Sequence, residues 1–182
     1  MKKKYAINDQ LSGDDIKRLR ETLGMTQKEF AVFANCAVRT VENWESKKEG
    51  ITGPIVTLTE ILLRRPEIAQ KLKIPENKLK LRLYYMYKST LCTVIDADPA
   101  SRTVEIRNYI DKPLYRAFGV NTEPSYEDYE EFLESRCFPR TRDKMKIELK
   151  KLDIPFYDPM MIIEKTEGRM AEDDFWIRIE RR

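Results

Sequence analysis

No histidine occurs in this 182-residue sequence, and cysteine (three) and glycine (six) are scarce. The missing imidazole excludes a Ser-His-Asp triad, a Cys-His dyad and any His-bearing zinc site. Cys36, Cys92 and Cys137 are odd in number, far apart and without a C-x-x-C pair. That spacing argues against a disulfide framework and structural zinc, and for free, partly buried thiols. The glycines form no phosphate-binding loop, and no paired catalytic Asp and Lys pattern accompanies them. Apolar runs are short as well, none approaching the roughly 18 residues that a membrane-spanning helix needs. The opening MKKKYAINDQ is positive but has no apolar region behind it, so it does not read as a signal peptide, and a cytoplasmic location is expected. These absences predict a chain that is not an enzyme and needs neither metal nor cofactor.

Hydrophobic residues make up 41% of the sequence, enough for a packed core. The net charge of +3 is small but unevenly placed. Residues 1–73 carry 14 Lys/Arg against 10 Asp/Glu, whereas the remainder carries 20 against 21. The positive excess therefore lies in the N-terminal part, where contact with phosphate would need it.

That part has helical periodicity. SGDDIKRLRETLG opens on a Ser12/Asp15 capping box, sets Ile16, Leu19 and Leu23 on one face and closes on Gly24. Thr26 and Glu29 form a second capping box, before a helix that buries Phe30, Ala31 and Phe33 or Ala34. Asn35 stands where the chain must turn left-handed. AVRTVENWESKK follows, with Val41 and Trp44 inward. Pro54 is at a favourable first-turn position of the next helix, and Pro66 ends it and begins a short further one. Five helices are thus predicted within residues 12–72. Beyond KIPENKLK the period changes to two: LRLYYMY, LCTVIDAD and TVEIRNYI alternate and are joined by short turns. Such a meander needs a cover, predicted from SYEDYEEFLESR and RTRDKMKIELKKL. A short helix near DPMMIIEKT and a strand at residues 175–180 complete the chain. The fold class is α+β, with an all-α domain at 1–73, a linker at 74–80 and a small antiparallel-sheet domain at 81–182.

The second and third helices carry the chemistry. A helix of about ten residues fits a major groove roughly 12 Å wide if short side chains face its floor and a partner helix braces it. Ala31 at the crossing, Cys36 in the turn, and Val41 and Trp44 behind the third helix supply that bracing. Residues 13–50 resemble the lambda/434-repressor class of helix-turn-helix domains, the xenobiotic-response-element family, through IKRLRETLGMTQKEFA followed by RTVENWE. The resemblance implies that Gln27 grips a phosphate and buttresses the recognition helix, and that Arg20 pairs with Glu45. It also places base-edge readers at Val38, Arg39 and Asn43. Arg39 can fork onto guanine and Asn43 onto adenine, while Val38 or the Thr40 methyl can touch a thymine methyl. Thr26, Ser46, Lys47 and Lys48 are the expected phosphate contacts. The sequence departs from the pattern at Ala37, where a capping Ser or Thr is usual, and at Asn35, where Gly is usual.

Three features stand out after residue 80. Arg136, Arg140, Arg142, Lys144 and Lys146 read either as a docking surface for phosphate or an acidic protein, or as a solvated face balanced by EDYEEFLE upstream. Asp173 and Asp174 are adjacent, so on an extended chain they point to opposite faces and suit a turn better than a metal. Asp96 and Asp98 likewise read as turn residues of a hairpin rim. Phe132, Leu133, Glu134, Arg136, Pro139 and Arg142, followed by Asp173, Phe175 and Trp176, resemble the N-terminal region of Firmicutes HipA-like kinases and the short proteins encoded beside them. That resemblance implies a toxin–antitoxin or mobile-element regulator.

The function expected from all this is a double-stranded-DNA-binding repressor, antitoxin-like or from a phage or mobile element. It would act as a homodimer, its C-terminal domain meeting a protein partner such as a toxin kinase or a nuclease. The alternative is a phage anti-CRISPR protein that inhibits a Cas9-type nuclease, using acidic and aromatic surface such as EPSYEDYEEFLE.

Overall fold

The computed structural model describes residues 4–141, 143 and 145–181. It is an α+β chain that divides after Lys73 into two compact units.

The first unit contains α1 (Gly13–Thr22), α2 (Gln27–Phe33), α3 (Val38–Glu45), α4 (Pro54–Arg64) and α5 (Glu67–Leu72). Local chemistry sets the helix starts. The Ser12/Asp15 and Thr26/Glu29 boxes are both reciprocal, each satisfying N–H groups that the first turn leaves without partners. Asn35 takes φ 51° between α2 and α3, a conformation that its short polar side chain tolerates. Ile16, Leu19, Phe30, Val41, Ile51 and Leu62 are fully buried and form the centre of the core.

Two features of this unit have no counterpart in the sequence pattern. Leu11 and Ile51 form an isolated antiparallel bridge, with N–H to O distances of 2.9 and 3.0 Å. Next to it, the Gly13 N–H donates to the Lys47 carbonyl at 2.7 Å. A Cβ on Gly13 would stand 2.5, 2.6 and 2.7 Å from the carbonyl oxygens of Glu45, Lys47 and Trp44. The start of α1 is therefore pressed against the backbone at the end of α3, and only glycine fits between them. Gly13→Ala is expected to destabilise the first unit by about 1–3 kcal/mol through overpacking, read as a lowered midpoint in chemical unfolding. An unchanged midpoint would show that this contact yields freely.

The second unit has a four-stranded antiparallel sheet of β1 (Leu81–Tyr87), β2 (Thr90–Asp98), β3 (Thr103–Asn108) and β4 (Phe175–Arg181), in the order β3-β2-β1-β4. Among the described residues three α-helices accompany it: α6 (Tyr126–Ser135), α7 (Met145–Lys151) and α8 (Pro159–Thr166). Leu83 and Tyr85 of β1, Ile95 of β2 and Ile177 of β4 share one face and pack with Phe132 and Leu133 of α6, Leu149 of α7 and Ile162 and Ile163 of α8. Tyr85 meets Phe132 edge-on and stacks flat on Phe175, with ring centroids 5.2 and 4.9 Å apart.

The opposite face corrects one expectation. Asp96 is not a turn residue: it lies opposite Arg82 in the ladder and is 7% exposed. Its two oxygens accept from Arg82 Nε and Nη2, both at 2.6 Å. Arg82 Nη1 donates in addition to the Pro75 carbonyl at 2.8 Å, which ties the segment before β1 to the sheet. Residues 74–80 cluster with the second unit. Asp98 does act in a turn, accepting from the Ala100 N–H at 2.9 Å.

Candidate nucleic-acid interface

Helix α3 turns two different edges to its surroundings. Val41 is fully buried, and Trp44 packs half-buried against the same core. On the other edge Arg39, Glu42 and Asn43 are exposed and Thr40 is half-buried. Among the described residues, neither Arg39 nor Glu42 has an ion-pair partner, and no hydrogen bond ends on the Asn43 side chain. Val38 is half-buried, as Thr40 is, and packs against the core.

The end of α3 is held by a charged network. Arg20 of α1 donates to Glu45 through Nε at 2.6 Å and Nη2 at 3.2 Å, and through Nη1 to the Met25 carbonyl at 3.0 Å. Gln27, the first residue of α2, donates Nε2 to Glu45 Oε2 at 2.9 Å. One carboxylate thus fastens α1 and α2 to the final turn of α3. Arg20 and Glu45 are the pair that the resemblance implies, and Gln27 directs its amide to the protein. Thr26 is engaged as well, since Glu29 takes up both its hydroxyl and its backbone N–H, at 2.8 and 2.7 Å. It serves as a helix cap. Ser46, Lys47 and Lys48 are exposed just past α3. Ala37 makes no side-chain cap, which leaves the first turn of α3 without a protein oxygen at that position.

Burial by itself would raise the Glu45 pKa, but the hydrogen bonds from Arg20 and Gln27 overcome it and hold the carboxyl below the usual carboxylate range. A carboxyl with a lowered folded pKa contributes stability that is fully present above its unfolded value of about 4.3 and is lost as pH falls through the lower folded value. Below pH ~4 the first unit is therefore expected to lose stability, and Glu45→Gln should make that acid limb shallower. Superimposable acid limbs in the two proteins would remove Glu45 from the account.

In the second unit the structure separates the basic residues that the sequence groups together. Arg136 is 6% exposed and is no part of a surface. It donates to both oxygens of Asp173 at 2.7 and 3.0 Å and to the carbonyls of Gly168 and Phe175. Asp173 also accepts from the Phe175 N–H at 2.9 Å, the turn role expected of it. The hydrogen bonds from Arg136 hold its carboxyl below the normal range. Asp174 pairs with Lys88 at 3.2 Å. Arg140 is exposed, pairs with Glu134 and lies 4.8 Å from the Tyr157 ring centroid. Lys146 is exposed, while Arg142 and Lys144 lie outside the described residues. The acidic stretch on α6 is partly neutralised within the chain, Glu127 and Glu130 sharing Arg102 at 2.6 and 3.2 Å. Among the described residues no group of three or more Cys, Asp or Glu could hold a metal, and no helix is long and apolar enough to cross a membrane.

One curated protein resembles part of the chain. A stretch of 69 residues, 36% of this chain, is 35% identical to antitoxin HigA-2 of Vibrio cholerae serotype O1. The match covers 66% of that relative, just under two thirds of its length. No family profile and no solved structure matches. The similarity is consistent with the helix-turn-helix arrangement of α2 and α3, and it leaves most of this chain without a counterpart.

Proposed function

We propose that this chain is a sequence-specific, double-stranded-DNA-binding repressor of the antitoxin-like or mobile-element kind. The observation that carries this reading is the exposed Arg39 and Asn43 rim of α3, on a helix anchored from behind by Val41 and Trp44 and at its end by Glu45. Eight residues of helix rise about 12 Å, a length that a major groove accepts. Arg39 forks onto guanine O6 and N7, Asn43 pairs with adenine and the Thr40 methyl meets a thymine methyl. Lys47 and Lys48 contact phosphate and fix register. Glu42, on the same exposed rim, accepts from a cytosine amine or repels phosphate where no cytosine stands. The likeness to an antitoxin supports the regulatory role. By the same reading the protein binds two half-sites as a homodimer, and the second unit engages a protein partner such as a toxin.

Arg39→Ala tests base reading. The variant should lose about 1–3 kcal/mol on the preferred duplex and much less on unrelated DNA. Equal losses on both would make Arg39 a phosphate contact and not a reader.

A further inference from the structure

The two edges of the sheet in the second unit are treated differently. The outer edge of β4 is closed where it begins: the Ile177 N–H donates to the Glu167 carbonyl at 2.7 Å, and Arg136 reaches the Phe175 carbonyl at 3.2 Å. The outer edge of β3 is not. The Tyr109 N–H donates to Cys92 of β2 at 2.9 Å, which fixes the direction of every backbone group along β3. In an antiparallel ladder these directions alternate, so Thr103, Glu105 and Arg107 turn their N–H and C=O groups toward β2, while Val104, Ile106 and Asn108 turn theirs outward. Among the described residues, no backbone hydrogen bond reaches those outward groups. An open, extended edge of this kind is a template for another strand unless something blunts it.

We infer that β3 is the surface through which two copies of this chain associate, strand β3 pairing antiparallel with its symmetry mate about a two-fold axis at Ile106. Charge selects the occupant and the register. Hydrogen bonding requires the outward residues of one strand to face the outward residues of the other, which leaves three central registers. With the axis at Glu105 two glutamates oppose each other, and with the axis at Arg107 two arginines do. With the axis at Ile106, Glu105 faces the partner subunit's Arg107 and Arg107 faces the partner subunit's Glu105. Only this register turns like-charge opposition into two cross-strand ion pairs. It also sets Ile106 on the partner subunit's Ile106 and Val104 on the partner subunit's Asn108. The interface is isologous, as a closed dimer demands, and the two sheets join into one of eight strands.

The inference gives the two-fold reading above a surface, but it is tested without DNA, so the two can fail separately. Sedimentation equilibrium of the full chain should show a dimer. Glu105→Arg and Arg107→Glu should each weaken it roughly tenfold or more, since each replaces two attractive pairs by two repulsive ones. The double variant Glu105→Arg/Arg107→Glu inverts both pairs and should return dimerisation to within about threefold of the starting protein. Amide exchange supplies a readout on the unaltered chain: the N–H groups of Val104, Ile106 and Asn108 should become slower as concentration rises. A monomer at every concentration, a dimer indifferent to the single reversals, or losses that the double variant does not restore would each overturn the inference.

Discussion

Asp96→Ala is expected to destabilise the second unit by about 3–5 kcal/mol, the largest effect of any single change considered for this protein. Arg82 and Asp96 are almost fully covered and are joined by two hydrogen bonds of 2.6 Å. Removing the carboxylate leaves a guanidinium with the Pro75 carbonyl and the Tyr84 hydroxyl beside it. Neutral groups of this kind do not replace an ion pair. An unpaired buried charge costs more than the pair contributes, so replacing both residues by apolar ones of similar size should be far less harmful than replacing one. Chemical unfolding followed by a probe in the second unit distinguishes these cases. A loss of under about 1 kcal/mol for Asp96→Ala would mean that water reaches the pair and that the polar face is not sealed.

The second large effect concerns binding. Arg39→Ala combined with Asn43→Ala should cost about 2–6 kcal/mol on the preferred duplex, the sum of two base contacts at about 1–3 kcal/mol each. The side chains are exposed and no described residue pairs with them, so their removal should leave the stability of the first unit within about 0.5 kcal/mol of the parent. This separates them from Arg20, Gln27 and Glu45, whose loss acts on the position of α3 as well as on binding. If the double variant kept full affinity on every duplex, α3 would not be the reading element. If it lost affinity equally on all duplexes, the helix would touch the backbone alone.

The residues that were legible in the sequence are those whose role is local. Ser12 with Asp15 and Thr26 with Glu29 announce helix starts over four residues, and Asn35 announces the turn before α3 because few residues accept a positive φ. The strands of the meander show through alternation. Pairings made across the chain were not legible. Asp96 reads as a turn residue until the register of β1 against β2 places Arg82 opposite it. Arg136 reads as one more cation in a basic run, although its carboxylate partner lies 37 residues away. Gly13 sits inside an ordinary helix start, and nothing nearby in sequence reveals that the backbone of residues 44–47 presses on it. Each of these depends on which surfaces meet, and periodicity carries no such information.

The same limit applies to the interface. The exposure of Arg39 and Asn43 followed from helical spacing, but the packing of Val38 against the core and the hydrogen bonds between Thr26 and Glu29 required coordinates. The proposed reading surface takes in Arg39, Thr40 and Asn43 of α3, with Ser46, Lys47 and Lys48 exposed just past the helix.

Selection of bound duplexes from a random pool, with the full chain at physiological salt, bears on that surface most directly. The expected result is a defined motif containing a guanine for Arg39 and an adenine for Asn43, with half-sites about 34 Å apart where the protein binds as a two-fold dimer. Recovery of duplexes with no shared sequence, at the affinity of the starting pool, would contradict it.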